Sequence, residues 1–110
     1  LFLLGENDWL CVDKEHGEQE YHVRHDIAAF LTNLMDLYKL DKNPARYQCG
    51  EIQYYVYCNQ KGTPMLKVGV VKDMSHANYP RESWIAYDEF FSKFSKKADG
   101  TLLYMGKDAI

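Results

Sequence analysis

One stretch of the sequence, residues 64–94, constrains the fold most, because a strand, a short polar loop and a helix follow one another directly. The strand is residues 65–71, where β-branched and aliphatic side chains are typical of a buried strand. The polar loop carries His76, and Pro80 stands where proline suits the first turn of a helix. From 81 to 96, large apolar residues recur at helical spacing, which predicts a helix with one broad apolar face packed on a sheet.

His76 is therefore expected at the carboxyl end of a buried strand, just before the helix that covers it. In open α/β sheets, ligands bind and reactions occur at this edge. A second polar turn follows the apolar run of residues 1–4, which is predicted to be a buried parallel strand. That turn begins at Gly5 and carries Asp8, so a carboxylate also stands at the carboxyl end of a strand.

The segments between these two turns also show regular periodicity. We expect an amphipathic helix from an N-cap at Asp26 to about Leu40. Residues 41–50 are predicted to form a connector, and residues 51–58 an alternating strand. A glycine-containing loop at 59–63 would return the chain as an antiparallel neighbour of that strand.

Composition limits the possible classes of protein. At 110 residues and 46% hydrophobic content the chain is at most one modest domain. A net charge of −3 excludes the basic surface that nucleic-acid binding needs, and no apolar run is long enough to span a membrane. The start on an apolar run, without an initiator methionine or a leader, predicts a fragment or the later part of a longer protein. Residues 1–97 are assigned to the main domain, and 98–110 to a short tail or terminal strand.

Two motifs resemble the carboxyl-terminal part of an α/β-hydrolase. Gly5-Glu6-Asn7-Asp8 is similar to the Gly-x-x-Asp acid turn of the esterases that include polyhydroxybutyrate depolymerases and feruloyl esterases. Asp73-Met74-Ser75-His76-Ala77-Asn78-Tyr79-Pro80 is similar to their histidine loop, and the aromatic helix at 84–94 is also as expected. The resemblance covers about residues 1–96. It implies an incomplete α/β domain made of the last strands of a hydrolase sheet and two packing helices.

The resemblance implies that His76 is the general base and acid of a Ser-His-Asp triad and that Asp8 orients its imidazole. A carboxylic ester linked to a sugar, a polymer, an aromatic acid or a short hydroxy acid would be the substrate, and the rest of the hydrolase domain a partner. No cofactor or metal is implied, and the location would be extracellular or periplasmic. A GxSxG elbow is absent around the four serines Ser75, Ser83, Ser92 and Ser95. The nucleophile is therefore expected upstream, and this chain alone is predicted to be inactive.

Several alternatives remain open for the candidate site. Glu6 rivals Asp8 as the carboxylate, and either Cys11 or Ser75 could pair with His76 as a nucleophile. A cluster of acidic and histidine side chains could bind a metal, although no pair in it has HExxH spacing. Its members are Glu15, His16, Glu18, Glu20, His22 and His25.

Alternatives also remain for the function of the whole chain. It could be a binding module with a tyrosine platform that includes Tyr54, Tyr55, Tyr57 and Tyr79, or a hydrolase relative without catalysis. The three cysteines lack CxxC spacing, which favours buried thiols or a single disulfide such as Cys49 to Cys58.

Overall fold

The computed structural model describes residues 1–77 and 80–110, so Asn78 and Tyr79 of the predicted histidine loop and tyrosine platform lie outside the described residues. Its two α-helices and two β-sheets follow the chain in this order: β1 (Phe2–Gly5), α1 (His25–Leu37), β2 (Ala45–Cys49), β3 (Ile52–Cys58), β4 (Pro64–Val71), α2 (Pro80–Glu89), a 3-10 turn (Phe91–Lys93), β5 (Phe94–Lys96), β6 (Leu102–Tyr104) and β7 (Lys107–Asp108).

The main sheet has four strands in the order β1-β4-β3-β2. β1 lies parallel to β4, with Gly5 opposite Val71, and the other neighbouring pairs are antiparallel. The predicted parallel strand at the start of the chain and the predicted antiparallel pair are both confirmed. The expected connector at 41–50 is wrong in part, because β2 forms an edge strand whose side chains are largely exposed.

One face of this sheet, the α1 face, holds the larger apolar core. Ala28, Leu31 and Met35 point from α1 onto side chains of three strands, and this cluster also includes residues of the loop before the helix. Its buried members are Leu4, Tyr21, Val23, Ala28, Leu31, Met35, Leu40, Tyr57, Leu66 and Val68. The predicted N-cap at Asp26 is wrong, because Arg24 occupies that position and Asp26 lies in the first turn.

The opposite face, the α2 face, is formed by the alternate side chains of the same strands. Its buried apolar cluster is smaller and consists of Ile52, Tyr54, Val71 and Met74, with Ile85 of α2 packed against it. The predicted helix at 81–96 begins at Pro80 but ends at Glu89. The prediction of a buried aromatic face is also wrong, because α2 buries Glu82 and Ala86 while Trp84 remains 69% exposed.

The last part of the chain forms a second sheet of three short antiparallel strands, β5-β6-β7. β5 lies before residue 97 and β6 after it, so this sheet joins the two segments assigned from the sequence. Cys11, Cys49 and Cys58 are free thiols. Cys49 and Cys58 lie near opposite ends of β3, whose length of about 20 Å rules out the bridge considered between them. Within the described residues, none of the helices is both long and apolar enough to cross a membrane.

Candidate functional site

The acid turn after β1 is held against the loop after β4 by backbone hydrogen bonds. The amide of Glu6 donates to the carbonyl of Val71 at 2.9 Å, and the amide of Asn7 donates to the carbonyl of Met74 at 2.9 Å. Gly5 makes this approach possible, since a Cβ there would lie only 2.3 Å from the carbonyl oxygen of Met74. The two turns that carry the candidate side chains are therefore fixed to each other through the main chain.

Asp8 and His76 meet at this junction. The Nδ1 atom of His76 lies 2.8 Å from Oδ2 of Asp8, although 68 positions separate the residues in sequence. Asp8 is only 4% exposed, whereas the side chain of His76 is 65% exposed. A buried carboxylate thus contacts one ring nitrogen of a histidine whose side chain is largely exposed.

The charge on Asp8 fixes which nitrogen of His76 carries hydrogen. Burial works to raise the pKa of Asp8, but hydrogen bonds from His76, Cys11 and the amide of Leu10 outweigh it and hold that pKa below its usual value. An ionised carboxylate can only accept, so Nδ1–H of His76 donates to Asp8. In the neutral imidazole Nε2 then carries the lone pair and can accept a proton.

Cys11 joins the same cluster through the turn that follows Asp8. Its amide donates to the carbonyl of Asp8 at 3.0 Å, and its thiol lies beside the Asp8 carboxylate. One donor atom from each of Asp8, Cys11 and His76 lies within 4.8 Å of the other two. These residues line a cavity of about 380 Å³ together with Leu3, Leu4, Gly5, Met74 and Ala77.

The environment of Cys11 does not suit a nucleophile. Burial, first, and then the hydrogen bond and the negative charge of Asp8 raise the pKa of the Cys11 thiol. Catalytic cysteines need the opposite, a thiolate stabilised by positive charge. The geometry brings Cys11 to His76, but its electrostatics oppose the Cys11–His76 nucleophile pair.

The alternative carboxylate and the alternative metal cluster are placed elsewhere. Glu6 turns toward Lys14, whose ammonium lies 3.6 Å from its carboxylate. His25 Nδ1 lies 2.5 Å from Glu18, and Glu20 is paired with Arg46. Within residues 1–77 and 80–110, the side chains between 15 and 25 do not converge as a metal-binding group.

The tyrosine platform is wrong as to Tyr54 and Tyr57, whereas Tyr55 is half-buried and Tyr79 lies outside the described residues. Tyr54 is completely buried and Tyr57 nearly so, because both side chains fill the core on either face of β3. Among the residues that the structure describes, the exposed aromatic side chains are instead Trp9, Tyr47, Trp84, Tyr87 and Phe91, together with Phe30 and Tyr38.

Comparison of the chain with protein-family models, with curated proteins and with solved structures finds no match. Function is therefore inferred from the side chains of the site.

Proposed function

We propose that this chain supplies the acid and the histidine of a Ser-His-Asp triad in a serine esterase of the α/β-hydrolase type. The observation that supports this most is the 2.8 Å contact between the buried Asp8 and Nδ1 of the exposed His76. Asp8 would hold the imidazole in the tautomer with Nε2 free, and Nε2 would take the proton of the serine hydroxyl. The same carboxylate would stabilise the imidazolium formed during acyl transfer.

The position of this pair also supports the proposal. β1 and β4 are adjacent parallel strands, and Asp8 and His76 follow their carboxyl ends. In α/β-hydrolases the nucleophile precedes the acid and the histidine along the chain. The serine and its oxyanion-hole donors would therefore come from a segment preceding Leu1, which would also extend the sheet beyond β1 at its edge.

The test measures hydrolysis of p-nitrophenyl acetate and methyl ferulate by the full-length protein that contains this chain. Replacing His76 with Ala should lower kcat/KM by about a thousandfold or more, because the serine loses its base. Asp8→Asn should cost about ten-thousandfold, because an amide that donates to Nδ1 favours the wrong tautomer. Residues 1–110 alone should show no hydrolysis.

His25→Ala provides the matched control. His25 also contacts a carboxylate through Nδ1, with Glu18 at 2.5 Å, but both side chains of that pair are exposed and neither contacts Asp8 or His76. Its replacement should leave kcat/KM unchanged. An active parent whose rate survives His76→Ala would refute the triad. An inactive parent with an intact fold would instead favour the relative without catalysis.

A further inference from the structure

The cluster of Asp8, Cys11 and His76 contains three different kinds of metal ligand. Carboxylate oxygen, thiolate sulfur and imidazole nitrogen are the groups that bind zinc in proteins. One such atom from each residue lies within 4.8 Å of the others. We propose that these three side chains form a Zn²⁺ site that leaves the fourth position open to water.

The distances in the cluster suit a zinc ion after a small movement. Donor atoms on a tetrahedral zinc ion lie about 3.3 to 3.8 Å apart, given zinc–ligand distances of about 2.0 to 2.3 Å. The Asp8–His76 contact of 2.8 Å must open slightly, and Cys11 must close from a separation of at most 4.8 Å. The imidazole can make the larger adjustment because 65% of its side chain is exposed. Binding releases the thiol proton of Cys11 to solvent.

The cavity gives this site the features of a built pocket. Asp8 lines this cavity and is fixed by its own turn, in which its Oδ1 accepts from the amide of Leu10 at 3.0 Å. The wall is apolar, with Leu3, Leu4 and Met74, and the volume of about 380 Å³ leaves room for an ion with a water ligand. An apolar wall beside a few convergent polar groups lowers the local dielectric and strengthens metal binding.

Zinc in this site would block the proposed triad. A zinc ion would draw the Asp8 carboxylate and one ring nitrogen of His76 into its own coordination shell, so His76 could no longer serve as base. This consequence rests on the proposed function, whereas the binding of zinc does not. The site would make the esterase sensitive to free zinc.

The binding test uses the 110-residue chain without a polyhistidine tag. Calorimetric titration with ZnCl₂ should show one site, and Co²⁺ should give the charge-transfer absorption of a thiolate–cobalt bond. Cys11→Ser and His76→Ala should each weaken zinc binding at least about tenfold. Loss of a residue that only hydrogen-bonds to a metal ligand already costs about that much, and loss of a ligand should cost no less. Circular dichroism verifies the fold of each variant.

Two control variants make this result specific. Cys58→Ser removes another partly buried thiol, and His25→Ala removes another histidine beside a carboxylate. Both should bind zinc within about twofold of the parent chain, a small change against the tenfold loss expected for a ligand. Undetectable binding, or equal binding by Cys11→Ser, would overturn the proposal.

The inhibition test uses the full-length esterase. Zinc should inhibit it, and Cys11→Ser should raise the zinc concentration needed for half inhibition at least about tenfold. An active enzyme that binds zinc without inhibition would refute the regulatory consequence alone. A chain that binds zinc through Cys11 within an inert parent would refute the esterase and leave the zinc site standing.

Discussion

The two faces of the main sheet differ in what they bury. The α1 face packs aliphatic and tyrosine side chains around the fully buried Leu31. The α2 face buries Lys67, whose ammonium lies 4.2 Å from the centroid of Tyr54 and 3.7 Å from the Glu89 carboxylate. It also buries the hydroxyl of Tyr54, which has no hydrogen-bond partner among the described residues.

This difference indicates where the stability of the domain resides. Apolar burial on the α1 face is directly favourable, at about 25 cal/mol per Å². A buried ammonium and an unpaired hydroxyl on the α2 face each carry a desolvation cost that offsets part of the packing. Asp8 and His76 lie at the end of the sheet between these faces, so we expect the α1 face to keep their strands in register.

The largest effect should come from Leu31→Ala, which empties a fully buried position on the α1 face. We expect the free energy of unfolding to fall by about 3 kcal/mol, because transfer and cavity terms add. Ile85→Ala on the α2 face removes a partly buried side chain and should cost about 1 kcal/mol. Urea denaturation followed by circular dichroism measures both, and equal losses would contradict the asymmetry of the two faces.

Lys67→Met tests the buried ammonium directly. Burial lowers the pKa of Lys67, which shows that its charged form is poorly solvated there. Methionine keeps a similar length without a charge, and the partner Glu89 is exposed enough to be hydrated. We expect the free energy of unfolding to rise by about 1 kcal/mol. Lys67→Ala is the control and should lose stability through the cavity it leaves, whereas a loss with Met as large as with Ala would show that the ion pair dominates.

Tyr54→Phe tests whether the buried hydroxyl on the α2 face makes the stability of the domain depend on pH. Burial raises the pKa of Tyr54 to about 12, whereas the unfolded value is 10.0. The stability linked to its proton is fully present below pH 10 and declines as pH rises through the folded pKa. Above pH 10, stability of the parent should therefore fall more steeply than that of Tyr54→Phe. Melting temperatures between pH 8 and about 11 measure this, and parallel curves would place the titration elsewhere.

The smallest effect should come from Trp84→Ser. Trp84 lies on the outer side of α2 and is 69% exposed, so its removal should change the free energy of unfolding by less than about 0.5 kcal/mol. Tyr87→Ser serves as a second exposed variant on the same helix. A loss above about 2 kcal/mol would mean that this side of α2 is packed rather than exposed.

Strong periodicity allowed most of the fold to be predicted from sequence. The apolar runs of β1 and β4, the alternation of β3 and the repeat of α1 each identify their element, because burial requires that spacing. β2 was missed because Ala45–Cys49 is polar, as an exposed edge strand permits. α2 was predicted too long because the aromatic repeat continues past Glu89, although Phe90 and Phe94 there pack in the 3-10 turn and β5 rather than on a longer helix.

The approach of Asp8 to His76 could be predicted, since both follow the ends of strands expected to share one edge. Cys11 could be named from sequence as a possible partner of His76, but its position beside the Asp8 carboxylate could not be predicted. It depends on the turn from Asp8 to Val12, in which two amides donate to the Asp8 carbonyl, and no short motif encodes that bend. Sequence spacing predicts which strand ends carry polar groups but not how a tight turn directs its side chains.

The parallel pairing of β1 with β4 also has a kinetic consequence. β3 and β4 are joined by a short loop and can form a hairpin early. β1 pairs with β4 only after a much longer segment of chain has been closed into a loop. Asp8 and His76, 68 positions apart, can meet only after that late encounter. During refolding, we expect hairpin structure to appear before the imidazole finds its carboxylate. A partly folded chain would therefore hold most of its secondary structure while lacking the site.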